Sequence, residues 1–293
     1  MLKLLNQDKE ISALFRLIDD PDEYVYGTVS EKILSFGKDI IPQLEQLWEK
    51  IVDEQTQERI EMLIHRVHFR DLTQEFNKWK DDDGSLINGA LIVARYNYPD
   101  MQSVTLLQEI EKIRRNTWLE LNSYLTSIEK INVVNSILYN YYKLKGSELS
   151  YDNPDLFLLN KVIESKKGNA IGNGIFYLIL CELLDIPVKA IQIPRQFILA
   201  YFDSTSDPYT FKSQGTEHIK FFIDAVNGQM YSHKDIENYF NKLSVHPAVS
   251  YFKPMNNKKI VQYLLEELAK CFDNERNHYK MEELLSLSAL LDH

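Results

Sequence analysis

The 293-residue chain has only two cysteines, Cys181 and Cys271, and they fall in separate helical patterns. Thiols so placed offer neither a metal-ligand spacing nor a disulfide framework, which suits a reducing compartment, so the expected location is the cytoplasm. Apolar runs are short as well. The longest, IFYLILC, is far below the ~20 residues needed to cross a bilayer and reads as a core helix. The opening MLKLLNQDKEI carries acids and no extended apolar stretch, so no signal peptide is expected there. Basic charge is in deficit: 33 Lys and Arg stand against 43 Asp and Glu, a net charge of −10. That balance disfavours nucleic acid and anionic membrane as partners. The compact basic cluster Lys112, Arg114 and Arg115 reads as one solvated helix face.

Cofactor motifs are also missing. Gly168, Gly172 and Gly174 cluster, yet no Walker-type phosphate loop is formed and no strand precedes the turn in the dinucleotide-binding manner. Close packing of a helix start is the better reading, with Asn169 and Asn173 as caps. His65 and His68 form H-x-x-H on a helical pattern without a third ligand nearby, so they read as polar-face residues and no metal is expected.

What is present is an ordinary globular composition, 44% hydrophobic and 26% charged. Up to about Gly146 the chain reads as successive amphipathic helices. The unit DDPDEYVYGTVSEKILSFGKDIIPQL resembles a single HEAT-type hairpin, with Pro21 expected in a first turn and Gly37 as a C-cap. Loops are expected at 80–85 and 96–100, a helical stretch at 118–145, and a helix ending at Gly168. The period then changes. VKAIQI and QFILAYFD read as strands joined by a tight turn at Pro194-Arg195, HIKFFIDAV as a third strand, and 204–216 as an exposed loop. Beyond them come a helix capped by Ser232 and a closing helix pair after Pro254. The expected fold is α+β and predominantly helical, divided into a helical region 1–80, a mixed domain 81–250 and a helix pair 251–293.

The segment 166–229 carries the most information. KKGNAIGNGIFYLILCELLDIPVKAIQIPRQFILAYFD, a polar loop and FFIDAVNGQ resemble the bacterial SirB-type transglutaminase-like family, over roughly residue 86 to the C-terminus. There a Gly-Asn turn opens a buried helix, Leu-Gly-Leu-Pro closes it, and Pro-Gly-His-Phe and Phe-Ile-Asp strands follow. The resemblance implies a papain-like helix-and-sheet core with a thiol at the helix N-terminus, a histidine on the adjacent strand and an aspartate that orients it.

Here the side chains fail. By that resemblance the thiol slot falls at Ala170 or at Gly172, neither of which is a nucleophile. Gln196 stands in the histidine slot, and an amide cannot act as a base at any reachable pH. Asp224 alone keeps the residue type implied, and with no histidine to orient it reads first as a cap at the strand end before a turn. Cys181 lies ~13 Å further along the apolar helix than Gly172 and reads as a core thiol. His218 and Asp224 would stand ~20 Å apart on one strand, too far to pair. If a cleft persists, Gln196 is expected to donate to Asp224 or to lie within one water of it. The expected function is a catalytically inactive domain that binds a protein or a small ligand. A hydrolase with a rearranged site and a purely structural helical adaptor stand as alternatives.

Overall fold

The computed structural model describes residues 2–82, 84–203, 216 and 218–292, with side chains from Lys9 onward. The chain forms two compact units, Met1–Lys78 and Trp79–His293. The first is helical: α1 (Leu2–Phe15), α2 (Glu23–Leu34), α3 (Ile41–Trp48) and α4 (Glu54–Asp81), which runs across the unit boundary. Its apolar stripes meet in one core, where Ile18, Ile33, Leu44, Ile60 and Leu63 are fully buried. Arg59 fixes the acidic-proline turn by donating to the carbonyls of Ile18 and Asp20, with its guanidinium 4.4 Å from the Tyr26 ring centre. Two local expectations shift. Pro21 precedes the helix instead of opening it, because Asp22 is the N-cap and accepts the Tyr24 N–H. Helix α2 stops at Leu34, and Gly37, at φ +67°, opens a 3₁₀ turn, Gly37–Ile40.

The second unit places α5 (Leu86–Asn97), α6 (Ser103–Glu120), α7 (Ser127–Asn135), α8 (Leu159–Ser165) and α9 (Ala170–Leu183) before the main sheet. After it come α10 (His233–Leu243), α11 (Asn257–Ala269) and α12 (His278–Ala289). The stretch 118–145 is not one helix. Helix α6 ends at Glu120, α7 starts at a capping box of Thr126 and Glu129, and a π-helical turn, Ser136–Tyr141, follows it. The helix expected to reach Gly168 ends at Ser165, because Lys166 turns left-handed at φ +55°. Residues β1 (Lys145–Gly146) and β2 (Lys167–Gly168) then form a short parallel ladder. Residues 251–293 belong to the same unit as 81–250. A Cβ on Gly89 of α5 would lie 2.7 Å from Val261 of α11, so the two helices meet at a glycine.

The main sheet is an antiparallel meander of β3 (Val188–Ile193), β4 (Gln196–Phe202), β5 (Ile219–Ile223) and β6 (Met230–Tyr231). Ile193 pairs with Gln196 across the Pro194-Arg195 turn, and Arg195, at φ +63°, takes the left-handed position that glycine usually fills. The third strand starts at Ile219, one residue after His218, and the two-residue β6 was not expected. The loop expected at 204–216 lies outside the described residues apart from Thr216. Helix α9 packs on one face of the sheet. On the other, Ile191, Ile198 and Phe222 cluster with Ile236 and Phe240 of α10. Among the described residues no helix is long and apolar enough to cross a membrane.

Helix α10 begins with the expected cap at Ser232, completed by Asp235, whose carboxylate accepts the Ser232 N–H at 2.8 Å. Removing the hydroxyl by Ser232→Ala is expected to lower stability by about 1 kcal/mol, a fall in Tm of about 3 °C for a unit of this size. Calorimetry checks this, and an unchanged Tm would show that the cap contributes nothing.

Candidate functional site

The start of α9 is held by its own cap. Asn169 is fully buried; its Oδ1 accepts the N–H groups of Ile171 and Gly172, each at 2.9 Å, and its N–H donates to Leu156 O at 3.1 Å. That same carbonyl closes the space beside Gly172, where a Cβ would lie 2.3 Å from Leu156 O and 3.0 Å from Val162. Ala170, the first residue of α9, is partly exposed. Two candidate positions two residues apart thus meet opposite surroundings, one packed against backbone and one open.

Asp224 follows β5 in a turn. Its Oδ1 accepts the Val226 N–H at 2.8 Å, and its carbonyl accepts the Gly228 N–H at 2.7 Å. The turn is pinned from behind: Asn135 donates to Gly228 O at 2.7 Å, Tyr177 donates to Asn135 at 3.0 Å, and Tyr139 donates to Ala225 O at 2.8 Å. Burial, and then the charge of Asp224, raise the Tyr139 pKa, so its hydroxyl stays a donor.

Ala170, Gln196 and Asp224 line one cavity of about 500 Å³ at the end of the sheet, while Gly172 is not among its lining residues. This is within the range of small-ligand sites. No hydrogen bond joins Gln196 to Asp224. Alternation along β4 puts Gln196 on the α10 face with Ile198, whereas Phe197 is turned toward α9, where a Cβ on Gly174 would meet its ring at 2.7 Å. The cavity therefore wraps the first residues of β4 and takes its wall from both sides of the sheet.

The rest of the wall escaped the sequence reading. Tyr231 comes from β6, Asp235, Tyr239 and Lys242 from α10, Tyr263 from α11 and Leu149 from the segment before α8. Tyr263 stacks on Phe197 with ring centres 5.6 Å apart, and Tyr239 donates to Pro194 O at 2.7 Å. Burial raises the pKa of Tyr231, Tyr239 and Tyr263, which leaves three neutral phenols in the wall. Hydrogen bonds from the Ser232 hydroxyl and backbone hold the Asp235 pKa below its usual range. Arg195 and Lys242, with Asp224 and Asp235, give the lining a balanced formal charge.

The other candidates lie elsewhere. Cys181 is fully buried and burial pushes its thiol pKa up, while Cys271 is half-buried and pushed up to about 12, by burial first and then by Asp152. Neither lines the cavity. His65 and His68 lie on α4 in the first unit, and no group of three potential metal ligands occurs among the described residues.

The family model of the transglutaminase-like superfamily matches residues 105–266, more than half of the chain. The chain belongs to this superfamily. Relatives place it with the SirB-type members: SirB1 of Salmonella typhimurium is 23% identical over 221 residues, 74% of each chain. A UPF0162 protein of Buchnera aphidicola is 21% identical over 215 residues, 71% of this chain and 72% of its own. Mouse F-box only protein 21 is 22% identical over 143 residues, 47% of this chain and 21% of the mouse protein. No solved structure matches. For a transglutaminase-like chain, the match spans α9, the sheet and the cavity, so the α+β, largely helical architecture and the family agree.

Proposed function

We propose that this transglutaminase-like protein is catalytically inactive and that its cleft binds a protein segment or a small ligand, in a regulatory or scaffolding role. The observation behind this reading is the composition of one cavity wall, in which Ala170, Gln196 and Asp224 occur together. Acyl transfer through a thiol needs a thiolate at the helix start and a base within hydrogen-bond reach. A methyl group at residue 170 and a carboxamide at 196 supply neither. The two cysteines present are both outside the wall, and burial disfavours their thiolates.

The same wall suits binding. Three neutral phenols, two carboxamides, two cations and two carboxylates offer donors and acceptors of both charges around the stacked pair of Phe197 and Tyr263. Purified full-length protein, offered a glutamine-containing peptide with either water or a primary amine as acceptor, is expected to release no ammonia above background. Asp224→Ala is expected to leave that background unchanged. Robust turnover by the parent chain that Asp224→Ala abolishes would overturn the proposal.

A further inference from the structure

A neighbouring cavity of about 460 Å³ adjoins the cleft at the Pro194-Arg195 turn, and Arg195 lines both. Pinned backbone shapes it. The Tyr239 hydroxyl holds Pro194 O at 2.7 Å, and the Met255 N–H donates to Ala190 O at 2.8 Å, which lays residues 253–256 along the edge strand β3.

Three cations line this cavity: Arg195 from the turn, Lys253 from the segment before α11 and Lys259 from the first turn of α11. No carboxylate occurs among its described lining residues, in a chain of net charge −10. Arg195 and Lys253 have no ion-pair partner among the described residues. Lys259 donates to Gln262 Oε1 at 2.9 Å, and Gln262 is itself buried and donates to Asp292, so the ammonium is oriented with two of its three N–H groups unused among the described residues. Like charges gathered without a counter-charge repel one another. Arg195 adds an independent observation. At φ +63° its Cβ crowds the backbone in a way that glycine avoids, and residues held in such conformations cluster at ligand sites. The strained residue of the hairpin is thus a cation without a partner.

We propose that this cavity binds a small multivalent anion, one bearing two or more phosphate or carboxylate groups. The planar guanidinium of Arg195 takes one anionic group through paired N–H donors, and the ammonium groups of Lys253 and Lys259 take another. Each cation is exposed and weak by itself; the pinned turn, segment and helix that carry them let the three act together. A singly charged anion would answer one cation and leave the others facing each other, and a neutral ligand would answer none. The site is independent of whether the cleft is catalytically active.

The experiment is calorimetric titration of the full chain, at fixed ionic strength, with sodium pyrophosphate and with citrate, and with acetate as the singly charged control. Saturable binding of at least one of the first two is expected; tighter pyrophosphate assigns the site to phosphates and tighter citrate to carboxylates. Arg195→Gly is expected to weaken binding by about tenfold while leaving Tm unchanged or higher, since glycine fits the left-handed turn. Lys253→Ala is expected to weaken binding by about threefold or more with Tm unchanged, which keeps the test intact if the first variant folds poorly. Lys242→Ala, which removes an equal charge from the cleft alone, is expected to leave binding unchanged. No saturation by either anion up to about 10 mM, acetate binding as tight, unaltered affinity in the Arg195 and Lys253 variants, or an equal loss in the Lys242 variant would each overturn the proposal. So would a Tm lowered by more than about 2 °C in Arg195→Gly, which would show that the arginine is kept for stability.

Discussion

Adding one methyl group at Gly172 is expected to destabilise the protein by about 3 kcal/mol, near the upper end for overpacking a core. The Cβ of Gly172→Ala would come 2.3 Å from Leu156 O, a separation that real Cβ atoms do not show. Side chains in such a clash can rotate away, but a backbone carbonyl cannot. Leu156 O also accepts the Asn169 N–H at 3.1 Å, and Asn169 in turn caps α9. Moving the carbonyl therefore loosens the cap, and tilting α9 disturbs its packing on the sheet. Urea unfolding should show a midpoint lower by about 1 M, given slopes of a few kcal/mol per molar for chains of this size. Gly27→Ala, in α2 with nothing within 4 Å of its added Cβ, is the matched control and should be neutral or slightly stabilising. Equal midpoints for the two variants would mean that α9 does not start against the 154–158 segment. The same clash bears on the thiol slot, because no side chain of any kind fits at residue 172.

Alkylation should separate residue 170 from the native cysteines by about a thousandfold or more in rate. Ala170→Cys places a thiol at the first position of α9, partly exposed and on the cleft wall. Helix N-termini carry unpaired N–H groups and the positive end of the dipole, so this thiol is expected to ionise below the usual ~8.5. Cys181 is the opposite case. It is fully buried, burial raises its pKa, and its reaction must await an opening of the core that costs several kcal/mol. Cys271 is intermediate, half-buried with its pKa raised to about 12. Iodoacetamide labelling followed by peptide mass spectrometry resolves all three sites in one sample. The rate at residue 170 should rise with pH and level off above the thiol pKa, since the thiolate is the reacting form. Labelling of Cys181 as fast as that of the introduced thiol would contradict the burial of α9 and revive a thiol chemistry centred on Cys181.

Much of the fold was legible where one residue type forces one geometry. Ser232 with Asp235 three positions on announces a helix start, Pro194-Arg195 between two β-branched runs announces a hairpin, and IFYLILC can be satisfied only by full burial. The parts that were not legible lack a local period. Lys145–Gly146 and Lys167–Gly168 are two-residue ladders, too short to alternate, and Met230–Tyr231 extends the sheet by pairing with Phe222 and Ile223 alone. Tertiary contacts decide such pairings, as they decide the π turn after Asn135.

For the site, the three family-derived positions could be named from the segment around α9 and the hairpin, yet the wall could not. Tyr231, Tyr239, Lys242 and Tyr263 arrive from elements up to the second helix after β4, and nothing in their local spacing marks them as neighbours of Gln196. Ala170 and Gly172 look alike in the sequence, and the contrast between them lies in the path of residues 154–158, which packs against Gly172 at Leu156 O.

The parallel ladder of Lys145–Gly146 with Lys167–Gly168 has one more implication. It ties off residues 147–166 as a noose whose knot is a few backbone hydrogen bonds, among them Lys145 N–H to Lys166 O at 2.8 Å and Ser147 N–H to Gly168 O at 2.9 Å. Leu149, near one end of the noose, lines the cleft of Ala170, Gln196 and Asp224, while Asn160 and Lys166, toward the other, line a separate cavity of about 720 Å³ beside α6. The two hollows share a tether, and slackening the knot by a single residue would loosen a wall of each.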